Sequence, residues 1–278
     1  MSLKEKISEI SGIDKEKIPG SWQIIGDIAL AKFLNASNME KKKMAKALLE
    51  ILPKIRTVCS IERIGGELRS PDARVIVSKA RLKKTQTIHT ENGIKFALDV
   101  SKVMFSKGNV AERARLVSHI RPGEKVVDMF AGIGYFTLGV AKAQPSAKVY
   151  AIEKNPTAFR YLKKSVALNE LQNVVPIKGD CRKVRLEEKA DRVLMGYFPG
   201  TEKFLPYAFA LLKERGIIHY HNIYKDSEAL GKPLDELESE AKRAGYRITA
   251  IIGQRKVKSY APRTSHVVID AAFEKVIV

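Results

Sequence analysis

Cysteine is scarce in this chain: Cys59 and Cys181 are the only two in 278 residues, and they lie far apart. They make no metal-ligand pair, no metal is expected, and a structural disulfide is not anticipated, which favours a cytoplasmic setting. No run of about 18 apolar residues occurs, so no membrane-spanning helix is expected. The opening Met1-Ser-Leu-Lys-Glu-Lys6 leads into mixed charges rather than an apolar stretch, so no secretion signal is read. Internal repeats, low-complexity tracts and long linkers are missing as well. Acidic residues are in deficit. Fifty Lys and Arg stand against 31 Asp and Glu, a formal net charge of +19. Such an excess points to a polyanionic partner held through its phosphates; the alternative is a lysine-rich surface tuned for heat stability. Both parts of the chain share it, with 18 basic and 10 acidic residues up to residue 90 and 32 and 21 beyond. That spread suits a long nucleic acid touching both, with no obligate protein partner evident.

The chain is 45% hydrophobic, enough for two cored domains. Residues 1–92 read as a small α+β domain, the part expected to contact nucleic acid. Lys41–Leu52 has helical spacing and stops at Pro53, and Thr57–Ile61, Ala73–Val77 and Gln86–Thr90 read as strands. Gly65-Gly66 and Ser70-Pro71 separate these strands, and Glu91-Asn-Gly93 signals a hairpin into Ile94–Asp99. Arg63, Arg69, Arg74, Lys79, Arg81, Lys83 and Lys84 cluster here, either as a nucleic-acid face or as an ordinary solvated one. Residues 93–278 alternate strands with helices expected at Ala131–Ala143, Thr157–Leu168, Lys203–Lys213 and Ala229–Ala244. Further strands are expected at Gly216–His221, Tyr246–Ile252 and His266–Ala272, the last two as an antiparallel hairpin. Alternation of this kind predicts an α/β doubly wound sheet.

The most informative stretch is Val126-Val-Asp-Met-Phe-Ala-Gly-Ile-Gly-Tyr-Phe-Thr137, a buried strand ending in a glycine turn that opens a helix. Glu153 follows 21 positions after Gly132, at the end of the apolar run Val149–Ile152, where an acid can take the two hydroxyls of a ribose. A dinucleotide fingerprint needs a third glycine, and Thr137 stands in its place. With Asp128 placed to accept from an ammonium, S-adenosylmethionine (SAM) fits better than NAD. Val174–Cys181 reads as a third strand ending in Gly179-Asp180, where Asp180 can accept from the adenine amine. Ala190–Met195 reads as a fourth, ending in the loop Gly196-Tyr-Phe-Pro-Gly200, which should face the cofactor's reactive end. His219 and His221 read as core histidines. Gly108-Asn109 can cap a helix carrying Glu112, Arg113 and Arg115, and a serine and an arginine there suit a carboxylate.

Phe105-Ser106 with Glu112-Arg113, Asp128–Phe136, Glu153-Lys-Asn155, Asp180 and Val257-Lys-Ser-Tyr-Ala-Pro262 together resemble the archaeal and eukaryotic tRNA (guanine-N1) methyltransferase family. The resemblance runs from about residue 50 to the end, without the extra N-terminal domain of some members. It implies a Rossmann-like class I SAM-dependent methyltransferase fold with a small α+β N-terminal domain. One departure matters. The methyltransferases carry an Asn-Pro-Pro-Tyr-like loop after the fourth strand, with the asparagine on the target guanine, whereas this chain has Gly196-Tyr-Phe-Pro-Gly-Thr201. That resembles the paralogous aminocarboxypropyltransferases of wybutosine synthesis, which modify 4-demethylwyosine beside the anticodon of phenylalanine tRNA. The resemblance implies Ser106 and Arg113 at the methionine end of SAM, Glu153 on the ribose, and Asp180 and Cys181 on the adenine. Asp128, Gly132 and Gly134 belong to the same cofactor site. Tyr197, Phe198 and Pro199 are candidates to receive the tricyclic base. The alternatives are guanine-N1 methyl transfer and a SAM-responsive tRNA-binding protein without turnover.

Overall fold

The computed structural model describes residues 1–65, 70–82 and 84–276. Of the basic cluster near the third and fourth strands, Arg69 and Lys83 and the side chain of Arg63 lie outside the described residues, as does Gly66. The chain forms two compact units, Met1–Ser106 and Lys107–Val278.

The first unit contains α1 (Leu3–Ser11), β1 (Gln23–Ile25), β2 (Ile28–Ala31), α2 (Asn38–Ile51), β3 (Thr57–Gly65), β4 (Ser70–Ser78), β5 (Gln86–Glu91) and β6 (Ile94–Asp99). Both helices start with a capping box, Ser2 with Glu5 and Ser37 with Glu40, so two of the free N–H groups at each start are satisfied. Helix α2 buries Met44, Ala45, Ala47, Leu48 and Leu49 on one face, and these pack with Ile7 of α1 and Val58 of β3. Strands β1 to β4 form a sheet in chain order, and β5 and β6 pair as a separate hairpin. Its turn is Asn92-Gly93, both at positive φ, which matches the twist of the strands it joins. The boundary expected between residues 92 and 93 therefore falls inside this turn. Cross-strand pairing keeps β6 with β5, so the division comes after Ser106 instead. The short strands β1 and β2 were not legible in the sequence: at three and four residues they carry too little periodicity.

The second unit runs α3 (Val110–Ser118), β7 (Lys125–Asp128), α4 (Thr137–Ala143), β8 (Lys148–Glu153), α5 (Pro156–Leu168), β9 (Val174–Lys178), β10 (Ala190–Met195), α6 (Leu205–Leu211), β11 (Leu212–Lys225), α7 (Lys232–Arg243), β12 (Tyr246–Ala261) and β13 (Thr264–Lys275). Its seven strands lie in the order β9-β8-β7-β10-β11-β13-β12. Neighbours from β9 to β11 are parallel, and β13 is antiparallel to both β11 and β12. Successive side chains on a strand point to opposite faces. Val126, Val149, Ala151 and Leu194 accordingly join one core with Leu116 of α3, Val140 of α4 and Leu162 of α5. Val127, Tyr150, Ile152, Val193 and Met195 join the other with Leu205 and Phe209 of α6 and Leu237 of α7. Strand order reverses between β7 and β10, which makes the carboxyl ends of these strands the place for a ligand.

Three elements differ from the sequence reading. The helix expected from Ala131 begins only at Thr137, because Gly132 and Gly134 sit at φ 59° and 100°, outside any helix. The helix expected over Lys203–Lys213 is a turn of 3₁₀ helix and then the seven residues of α6, with β11 starting directly at Leu212. The closing hairpin is longer than expected, since β12 reaches Ala261 and β13 spans Thr264–Lys275. Register shifts near Ile248, Ile251, Lys256 and Ser259 keep β12 paired through a polar run without regular alternation.

Candidate cofactor and substrate site

The turn after β7 is built around two carboxylates. Asp128 is fully buried; its Oδ1 accepts from the Phe130 N–H at 3.3 Å and its Oδ2 from the Thr137 hydroxyl at 2.8 Å. Burial pushes its carboxyl up to about 6, opposed by the Thr137 hydrogen bond. These two bonds tie Asp128 to the glycine turn and to the start of α4, so it holds the turn from within. Thr137, at the third fingerprint position, is explained by this contact.

Glu153 ends β8 beside that turn. Its Oε2 accepts from the Gly132 N–H at 2.7 Å and its Oε1 from the Asn155 N–H at 2.6 Å. Burial raises its carboxyl above the ordinary value, and the two amides oppose the shift. Each carboxylate oxygen keeps a further lone pair, so a diol can be accepted without breaking either bond. Gly132 is required where it stands: at φ 59°, and with a Cβ that would fall 2.4 Å from the Tyr135 ring, only glycine fits. Asn155 caps α5, accepting from Thr157 and Ala158 N–H with Pro156 at the first helical position, which fixes the chain after Glu153.

Beyond β9, Asp180 is gripped by Arg182 at 2.5 and 2.9 Å, and Lys154 stands 3.6 Å away. The Arg182 hydrogen bond holds the Asp180 carboxyl well below the usual range. Cys181 is buried, and burial, followed by the neighbouring Asp180, pushes its thiol up to about 12, so it remains protonated and non-nucleophilic. The Arg182 guanidinium lies over the Phe204 ring, which meets Phe130 and Tyr197 edge-on.

The loop after β10 separates the three substrate candidates. Tyr197 is half-buried and stacks on Phe130, ring centroids 5.0 Å apart and planes 24° apart. Pro199 is exposed. Phe198 departs from the expectation: its ring is buried and lies 4.2 Å from that of His266, so it belongs to the packing beneath the loop. Gly196 has no room for a side chain, since a Cβ there would fall 2.6 Å from the Phe136 ring.

Helix α3 carries Glu112 and Arg113, both buried. Asn109 stands at the N-cap position, but its side chain makes no capping bond, contrary to expectation. Its buried Oδ1 has no hydrogen-bond partner among the described residues. Arg115 reaches from α3 to Glu112 at 2.6 Å and to Asp270 of β13 at 2.6 Å. Asp270 also pairs with His219 Nδ1 at 2.6 Å, and His219 Nε2 lies 2.7 Å from Arg192 Nη1. Because a guanidinium can only donate, His219 accepts at Nε2 and donates its Nδ1 proton to Asp270 as a neutral ring. That agrees with its pKa, which burial lowers from the ordinary value. Burial works against ionising Asp270, but His219 and Arg115 outweigh it and hold the carboxyl below the usual range. His219 and His221 are both buried, and His221 is pushed down to about 3 by burial. Sequence reasoning missed this network and Asn222 of β11; the polar run His219-Tyr-His-Asn222 inside an apolar strand was the available signal. Ser106 closes the first unit, whereas the other expected cofactor residues all belong to the second.

Known proteins resemble this chain in sequence and in fold. Residues 87–249 match the family described as the TRM5/TYW2 methyltransferase domain, and residues 3–78 match the TYW2 N-terminal domain. The chain belongs to the TRM5/TYW2 family. A Methanocaldococcus jannaschii tRNA(Phe) (4-demethylwyosine(37)-C(7)) aminocarboxypropyltransferase is 43% identical over 260 residues, 92% of this chain and 98% of the relative. A Pyrococcus abyssi tRNA (guanine(37)-N(1))-methyltransferase, Trm5b, is 35% identical over 91% of this chain and 74% of its own length. Among solved structures, M. jannaschii TYW2 in complex with AdoMet superposes with TM-score 0.75 at 39% identity, over 92% of this chain and all of that one. Pyrococcus horikoshii TYW2 in complex with MeSAdo superposes with TM-score 0.85 at 35% identity, covering 98% and 99%. The family match begins at residue 3, so the likeness read from residue 50 onward extends through the first unit as well. The fold is the Rossmann-like SAM-dependent methyltransferase fold of this family. The Glu153 carboxylate, presented by two amides beside the glycine turn, fits an adenosine-bearing ligand of this kind.

Proposed function

We propose that the protein is a SAM-dependent tRNA aminocarboxypropyltransferase, moving the 3-amino-3-carboxypropyl group of SAM to C7 of 4-demethylwyosine in phenylalanine tRNA. In this reading it works next to the anticodon, in the cytoplasm and without an obligate protein partner. The observation that carries the choice of branch is at Gly196. The methyltransferase branch needs an amide at this loop position, and here the Phe136 ring fills the space a side chain would take. The 43% identity to an aminocarboxypropyltransferase along nearly the whole chain supports the same choice.

When bound, SAM supplies a sulfonium that activates three attached carbons, and orientation decides which of them meets the base. The protein's part is orientation, since transfer needs in-line approach at about 3–3.5 Å. Glu153 takes the ribose hydroxyls. Asp180 takes the adenine amine by sharing its oxygens with Arg182, beside Cys181. Gly132 and Gly134 let the backbone approach, with Asp128 beneath them holding the turn. Ser106 and Arg113 serve the methionine carboxylate. Tyr197, already stacked on Phe130, offers an aromatic surface to the tricyclic base. The first unit, with its basic surface, contacts the tRNA.

The test uses SAM labelled separately in its methyl and carboxypropyl carbons, with phenylalanine tRNA carrying 4-demethylwyosine. Carboxypropyl label in the tRNA with release of methylthioadenosine is the expected result. Methyl label with S-adenosylhomocysteine would place the chain with the methyltransferases. Neither label, despite tight tRNA binding, would leave it a binding protein.

A further inference from the structure

Asn222 sits in β11, two strands away from the glycine turn, and is 4% exposed. A buried primary amide must place both a donor and an acceptor. The Asn222 Oδ1 takes the N–H of the neighbouring Ile223 at 2.9 Å, and a further donor and a further acceptor come from the segment that follows β10. Its Oδ1 accepts from the Gly200 N–H at 3.2 Å, and its Nδ2 donates to the Glu202 carboxylate at 2.9 Å. Gly200 and Glu202 flank Thr201, which is fully buried and whose hydroxyl donates to the carbonyl of Tyr197. The Asn222 amide is itself held from behind. Its Nδ2 lies 3.1 Å from the Tyr220 hydroxyl, and the Tyr220 and Tyr224 hydroxyls both donate to Glu236 of α7. Hydrogen bonds thus run from α7 through the tyrosine pair and Asn222 to Gly200 and Glu202, and Thr201, covalently between those two, carries the link on to the Tyr197 carbonyl.

We infer that Asn222 is a positioning residue: it fixes the Gly196–Glu202 segment so that Tyr197 keeps its place on Phe130 for the incoming base. The inference rests on the reading that this loop receives the base. Only an amide meets both demands. Aspartate keeps the acceptor for Gly200 but sets a carboxylate against that of Glu202 at hydrogen-bond distance, where like charges repel. Alanine leaves the Gly200 N–H and the Glu202 oxygen without their partner.

The clamp predicts a specific exchange of roles. Asn222→Asp loosens the loop, and adding Glu202→Gln restores it, because the new amide at position 202 donates to the new carboxylate at position 222. In the full-length protein, amide hydrogen exchange over residues 196–204 should speed up in Asn222→Asp and slow again in the double variant. With the 4-demethylwyosine tRNA, kcat should fall by about tenfold or more in Asn222→Asp and recover in the double variant, while SAM affinity by calorimetry stays unchanged in both. Asn222→Ala should match Asn222→Asp in both readouts without the rescue. Exchange that is indifferent to Asn222 would overturn the clamp. A loosened loop with unchanged kcat would overturn the positioning role. If the parent protein transfers nothing to this tRNA, the functional reading fails by itself, and the exchange data still decide whether the clamp exists.

Discussion

Glu153 accepts the Gly132 N–H at 2.7 Å, joining the ends of two neighbouring strands across 21 positions of sequence. The glycine turn and the acid are therefore one unit: the amide aims the carboxylate, and the carboxylate fixes the turn. Hydrogen bonds to an ionised acceptor are worth about 1.5–3 kcal/mol each, and tenfold in affinity is about 1.4 kcal/mol. Glu153→Ala should weaken SAM binding by more than about tenfold. Glu153→Gln should also weaken it, since its amide nitrogen cannot accept from a backbone N–H. Titration calorimetry with SAM measures both. An unchanged dissociation constant in the alanine variant would remove Glu153 from the ribose.

Gly196→Ala tests the contact with Phe136. A methyl placed 2.6 Å from a ring carbon must displace either the ring or the loop. Overpacking of this kind costs about 1–3 kcal/mol. The variant should melt at a lower temperature and transfer more slowly, and a second change, Phe136→Leu, should recover part of the stability by opening space. Calorimetric melting of the single and double variants checks it. Equal melting temperatures for Gly196→Ala and the parent would show that the ring yields freely.

How much of this was legible before the fold was known follows from the range of the interactions. The strands β7, β8 and β10 and the role of the glycine turn could be read because they depend on short apolar runs and on local backbone freedom. The order Asp128, Gly132, Glu153, Asp180 could be read because a parallel sheet puts successive strand ends on one side. What could not be read depends on distant residues. The hydroxyl that Thr137 places on Asp128 is not announced by the spacing of the two residues. Phe198 looks like a stacking platform until the ring of His266 is found against it. The Arg115–Asp270 contact spans 155 positions, and no local pattern announces it.

Asp128 makes a pH prediction whose sign is fixed by its burial. Its carboxyl titrates at about 6 in the folded chain against an ordinary value of 3.8. The folded state therefore keeps a proton that the unfolded state has lost, and the stability this provides at low pH is lost as pH rises through 6. The difference amounts to about 3 kcal/mol at neutral pH. Asp180 and Asp270, whose carboxyls are lowered, act in the opposite sense, so the effect must be isolated by comparison. Asp128→Asn keeps an acceptor for Phe130 and can donate to Thr137. Its melting temperature relative to the parent should rise steadily from pH 4 to pH 7. A difference independent of pH would mean that Asp128 is not buried as an ionisable group.

The charge of +19 makes the last prediction. Some lysines of the first unit are neutralised within it, Lys15 by Glu5 and Lys17 by Glu40. Others are not: Lys42, Lys43 and Lys46 stand exposed along one face of α2, opposite the side that packs on the core, with no carboxylate within ion-pair distance among the described residues. Free surface cations that meet phosphates release counterions, so log affinity falls linearly with log salt. About six phosphate contacts would reduce tRNA affinity by roughly a thousandfold between 50 and 200 mM salt. Filter binding of phenylalanine tRNA across that range measures the slope, and SAM binding, which needs no phosphate contact, should barely respond. Charge reversal at Lys42, Lys43 and Lys46 together asks whether α2 contributes: every phosphate that α2 then fails to neutralise should make the slope shallower by about 0.7–0.9. A flat salt dependence of the parent would assign the charge to something other than nucleic acid, with heat stability of a lysine-rich surface the first alternative.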